Sequence, residues 1–151
     1  MNGAYLHLVL NHIPVVGVPI AFFLFLTGLI RKSRDLVQAG FVIMILMGIG
    51  AYPVVKTGGM AAGLVHDLPG VTHEAIHEHA QAADFGFWGC IILGVLSLAG
   101  FWITAKTQQI SKKWVWILLI GSLWLSTVMA RVAHLGGLIR HPEIESGSHS
   151  I

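Results

Sequence analysis

Charge is scarce in this sequence. Only 11% of its 151 residues are Asp, Glu, Lys or Arg, against 55% that are hydrophobic, whereas roughly a quarter of an average soluble domain is charged. So few charges cannot cover a water-facing surface, and the chain reads as an integral membrane protein. Cysteine is scarcer still. Cys90 stands alone inside an apolar run, which excludes a disulfide framework, a CxxC redox pair and the CxxCH of covalent haem attachment, so any haem would be held non-covalently. A basic face is also missing. The formal net charge is +2 and the basic residues are scattered through short loops, so there is no electrostatic footprint for nucleic acid. No grouping of nucleophile, base and orienting residue is visible, and hydrolase chemistry finds no support. The N-terminus lacks the basic start of a cleaved signal peptide, and its apolar run ends in Arg31-Lys32 rather than at a small-residue cleavage site, so it is expected to remain as a first helix.

What is present is hydrophobic length. Each membrane crossing needs about 20 apolar residues, and the sequence offers four such runs, at about residues 5–30, 36–56, 73–105 and 114–140, with a short polar tail at 143–151. The expectation is one all-α domain, an integral membrane up-down-up-down four-helix bundle. Gly58-Gly59 reads as the stop of the second helix, and Thr72 as the N-cap of the third, with Ala75 leaving a capping box incomplete. Arg31, Lys32 and Arg34 occupy the first connection, and Lys106, Lys112 and Lys113 the third. By the positive-inside rule both loops face the cytoplasm and both termini lie on the outer side.

That orientation puts every histidine on the outer side. His12, His79 and His134, from three different helices, fall at one depth near the outer third of the bilayer, counting about 1.5 Å per residue. His7, His73, His77 and His141 lie one to two turns further out, while His66 and His149 belong to loop and tail. Ionisable groups within a span are costly and usually face the bundle interior, which makes the deep histidines candidate site residues. At about 100° per residue, His79 shares a face with Ala82, Ala83, Gly86 and Cys90, a stripe of small side chains that could admit a flat macrocycle or simply allow close helix packing. His73, His77, Gln81 and Asp84 form a second, polar stripe, and Lys56 or Arg131 could pair with Asp84. The second helix ends KTGGM and the fourth HLGGL, a short match that invites the idea of a duplicated hairpin.

A b-type haem needs imidazoles from two helices, small residues beside the ring, and cations for its propionates. His12 and His79, on diagonal helices if the bundle packs cyclically, are the expected axial pair. His134 and His141 are alternates, Arg131, Arg140 and Lys56 are propionate partners, and Gly86 gives room for the ring. Copper or zinc held by His73, His77 and their neighbours is a further candidate. So is a quinone, although aromatic residues near the surfaces are equally accounted for as an interfacial belt.

The strings YLHLVLNHIPVVG, LPGV, HEHAQAA and AHLGGLIRHPEI resemble a widespread group of small bacterial four-helix membrane proteins catalogued as a domain of unknown function, and the likeness covers nearly the whole chain. It implies the four-helix fold and a bacterial inner membrane, where the orientation given by the basic loops makes both termini periplasmic. His12 in NHIP, His79, and His141 in RHPE match the group's histidines, while His134 stands where similar sequences carry asparagine. The function expected is that of a b-type cytochrome or haem-bearing electron-transfer subunit, its site near the periplasmic face, working between quinol and a periplasmic redox protein or larger respiratory complex. The alternative from another class is a cofactor-free membrane anchor of such a complex.

Overall fold

The computed structural model describes residues 3–66, 68 and 70–140, in which all regular structure is helical. The helices are α1 (Gly3–Leu10), α2 (His12–Arg31), α3 (Arg34–Val65), α4 (His73–Thr107) and α5 (Lys112–Arg140). Asn11 keeps right-handed helical angles between α1 and α2, so these two form a single rod. Four rods, Gly3–Arg31, Arg34–Val65, His73–Thr107 and Lys112–Ile139, are long and apolar enough to cross a membrane.

Local chemistry sets most of their ends. Lys32 takes the left-handed conformation (φ 50°), and Ser33 N–H donates back to Gly28 O at 2.9 Å, closing α2. Ser33 then caps α3, its hydroxyl accepting from Leu36 N–H. Thr72 caps α4 by accepting from Ala75 N–H at 3.1 Å, and Gln108 (φ 59°) ends that helix in the left-handed region. One expectation fails. α3 does not stop at Gly58-Gly59 but continues to Val65. Glycine weakens a helix in water by exposing its backbone, but without competing water the helix keeps its own hydrogen bonds.

Short connections make successive rods antiparallel, and each rod packs chiefly against two others, so they form a closed ring in which the first lies diagonal to the third. The core runs down the centre through Phe25, Phe41, Met44, Leu118 and Leu125, all essentially inaccessible. Where α3 crosses α4, two glycines bring the backbones together: a Cβ added at Gly94 would lie 3.2 Å from the Gly48 Cα and 3.3 Å from the Met44 carbonyl oxygen. Trp114 Nε1–H donates to Leu96 O at 3.1 Å and joins α5 to α4. The outer surface is apolar, with Ile49, Phe85, Trp102 and Ile120 each more than 60% exposed. That is the surface of a bundle solvated by hydrocarbon.

Candidate functional site

Two imidazoles meet edge-on at one end of the bundle. His7 of α1 and His79 of α4, on diagonal rods, have ring centroids 6.3 Å apart and planes at 85°. Each ring is oriented by the rod beside it. His7 Nδ1–H donates to Val54 O on α3 at 3.1 Å, and His79 Nδ1–H donates to Val132 O on α5 at 3.1 Å. A carbonyl can only accept, so both Nδ1 atoms carry the proton, and in each neutral ring Nε2 keeps a lone pair free to bind a ligand. Four residues past each acceptor stands a glycine. A Cβ at Gly58 would lie 3.1 Å from His7 Cε1, and a Cβ at Gly136 would lie 3.1 Å from His79 Cε1. The rings rest where side chains would otherwise project.

This equivalence extends along the chain. Gly17 packs on Met47 as Gly89 packs on Leu125, and Gly28 packs on Leu36 and Val37 as Gly100 packs on Trp114. One constant offset relates the first rod to the third, and a second relates the second rod to the fourth. The bundle is therefore two structurally matched hairpins, each contributing one histidine, one carbonyl and one glycine. KTGGM and HLGGL are the matching imidazole seats.

The matched halves differ in polarity. Thr57 is buried, donates to Pro53 O at 2.8 Å, and places its oxygen 3.4 Å from His7 Nδ1 as a second acceptor; its counterpart is Leu135. Asn11, one turn inward of His7, has a buried Oδ1 without a hydrogen-bond partner; its counterpart is Ala83.

The expected site residues are distributed unevenly. His79 lies at the centre of the pair, above buried Ala82, Gly86 and Cys90 as its small-residue face suggested. His12 does not meet it. His12 is exposed and turns Nδ1–H back to Leu8 O of its own rod at 2.6 Å. At about 100° per residue it stands well away from the inner face that carries His7, Pro14, Val18 and Phe25. Lys56, Arg131 and His134 are also exposed, and Lys56 and His134 occupy equivalent positions on the outward faces of their hairpins. Gly86 is buried, but the space beside it is filled by the Met129 methyl, 2.8 Å from an added Cβ. His141 and the side chain of Arg140 lie outside the described residues. Asp84 is exposed and forms no ion pair among the described residues.

No family model, curated protein or solved structure matches the chain.

Among the described residues no three His, Cys, Asp or Glu side chains converge as metal ligands. His73 stacks edge-on with His66, and His77 Nε2 accepts from Gln81 Nε2–H at 3.1 Å, so the polar stripe forms no chelate. A protein zinc site needs at least three protein ligands. Two opposed imidazoles suit an iron whose equatorial positions are already filled by a porphyrin. Metal–nitrogen bonds of about 2.0 Å on both sides, plus roughly 1.1 Å from nitrogen to ring centre, would separate the centroids by about 6.2 Å, close to the 6.3 Å between these rings.

Depth counting passed over His7. The usable signals were its helical phase with Pro14 and Val18 and the repeated Gly-Gly pair, which marks where the rings rest.

Proposed function

We propose that this protein is a membrane electron-transfer subunit for a b-type haem at one end of its bundle, where His7 and His79 would hold the iron. The observation that carries the proposal is the meeting of two imidazoles from diagonal helices, each with Nδ1 engaged by a carbonyl of the neighbouring rod. Such outer hydrogen bonds fix tautomer and ring orientation in histidine ligands and raise their basicity. When bound, the haem supplies one-electron chemistry. The protein's part is to hold two neutral imidazoles at a fixed separation, to exclude water with the apolar core beneath them, and to give His7 a more polar setting than His79. Thr57 supplies that difference. Met47 and Met129, flexible side chains inward of the pair, can repack around a bound ring.

In this reading the loops bearing Arg31, Lys32 and Arg34, and Lys106, Lys112 and Lys113, face the cytoplasm, and the histidine pair lies toward the periplasmic side of a bacterial inner membrane. There it would take electrons from quinol and pass them to a redox partner. It also accords with the resemblance to small bacterial four-helix membrane proteins, with His7 replacing His12 as the first-helix ligand.

The test is an absorption spectrum of the full chain purified after expression with ample haem supply. A Soret band with sharp reduced α and β bands is expected, lost or converted to high-spin form in His7→Ala and in His79→Ala, and retained in His12→Ala and His134→Ala. Absence of the band rejects the proposal in favour of a cofactor-free anchor, and a band indifferent to His7 and His79 rejects this pair as the haem ligands.

A further inference from the structure

The end of the bundle away from the histidine pair carries a different set of groups. Arg31, Lys32 and Arg34 lie at the α2–α3 connection, while Lys106, Lys112 and Lys113 flank the α4–α5 connection. Asp35 is the one acid beside them. None of these cations forms an ion pair among the described residues. Arg34 Nη1–H donates to Gln108 Oε1, which ties the two connections together, yet Arg34 Nε is buried and has no acceptor. A buried guanidinium N–H without a partner calls for an anion, and arginine matches phosphate oxygens well in both charge and geometry.

Between α3 and α4, directly inward from this end, runs an apolar groove of about 320 Å³, lined by Val42, Ile45, Leu46, Leu98, Phe101 and Trp102. Arg34 begins α3 two turns before Val42, and Lys106 lies one turn beyond Trp102 on α4. At about 1.5 Å per residue the groove covers depths of roughly 6 to 18 Å from the charged end, where the acyl chains of a leaflet lie. Groove and cations share the same two helices. A free anion would leave the groove empty, and a zwitterionic headgroup would bring its own cation beside these basic residues, so an anionic lipid uses both parts best.

We propose that α3 and α4 form a binding site for one anionic phospholipid, with its phosphate at Arg34 and Lys106 and an acyl chain in the groove. Basic pockets between membrane helices bind anionic headgroups by this combination of charge and apolar surface. The site lies at the opposite end of the bundle from the histidine pair and does not depend on haem.

Native mass spectrometry of the full chain in neutral detergent tests it, with dioleoylphosphatidylglycerol compared against dioleoylphosphatidylcholine, which has the same tails and no net charge. One phosphatidylglycerol should be retained at least ten-fold more than phosphatidylcholine. The Arg34→Gln/Lys106→Gln variant should bring that ratio close to one, whereas Arg31→Gln/Lys113→Gln should leave it unchanged. Leu46→Trp, placed to fill the groove, should lower retention of phosphatidylglycerol with the helical circular dichroism intact. If the double variant at Arg34 fails to fold, Lys106→Gln alone must still reduce the preference several-fold. Equal retention of the two lipids, a preference that survives removal of Arg34 and Lys106, or one lost equally at Arg31 and Lys113, overturns the proposal.

Discussion

Gly136 and Gly137 are adjacent in sequence but differ in what a side chain would meet. A Cβ at 136 would lie 3.1 Å from His79 Cε1, whereas nothing comes within 4 Å of one at 137. In Gly136→Ala the imidazole must retreat by a few tenths of an ångström, stretching the 3.1 Å bond to Val132 O toward the outer limit for a hydrogen bond. In Gly136→Val the γ carbons displace the ring altogether. The cost to the protein is about 0.5–1.5 kcal/mol for the hydrogen bond, and loss of such an outer-shell partner typically weakens metal binding about 10–100-fold. With haem bound as proposed, its transfer from the purified protein to apomyoglobin measures this. Gly136→Val should release haem about 10–100-fold more readily, and Gly137→Val should behave as wild type. The first hairpin supplies an independent replicate, because Gly58 meets His7 Cε1 at 3.1 Å and Gly59 meets nothing. If both members of either glycine pair prove equally sensitive, or equally silent, the imidazole seats are not where the structure places them.

Other outcomes follow from the packing. Gly94→Leu drives a side chain into the α3 backbone and should destabilise the bundle by about 3 kcal/mol, the upper end for overpacking, while Gly63→Ala, with nothing within 4 Å, should hold or slightly raise the thermal midpoint in detergent. Trp114→Phe removes the hydrogen bond to Leu96 O and should cost about 1 kcal/mol by the same measurement. Cys90 is fully buried, so maleimide labelling of the folded protein should be slow and should accelerate only on denaturation. In a Cys90→Ala background, Lys113→Cys should react with an impermeant thiol reagent only in inverted vesicles, and Met60→Cys only in right-side-out ones; the reverse pattern would invert the orientation.

The rods were legible because hydrophobic length is a strong signal and the membrane demands it. The inner face of α4 was legible too, since His79, Ala82, Gly86 and Cys90 stand out as small or polar residues at helical spacing. The first rod hides its inner face. It is apolar on every side, so Pro14, Val18, Ala21 and Phe25, all buried, look no different in sequence from lipid-facing Val16, Ile20 and Phe23. Depth then favoured His12, where phase favoured His7. The end of α3 was misplaced for a related reason: Gly58 resembles a helix stop, but its missing side chain makes room for a ring from another rod. That purpose belongs to tertiary structure, and only the second copy at Gly136 hints at it in sequence.

The mismatch at Asn11 and Thr57, set against Ala83 and Leu135, makes the two sides of an otherwise repeated frame distinguishable. A symmetric dimer of identical hairpins would have to present the same surroundings to both imidazoles. A single chain holding both hairpins is free of that constraint and can vary one environment while the other stays fixed. In histidine-labelled protein the two Nδ1 protons should therefore give separate resonances, with the proton of His7, shared between Val54 O and Thr57 Oγ1, set apart from that of His79, which has one acceptor. Fusing the hairpins gives the centre a front and a back.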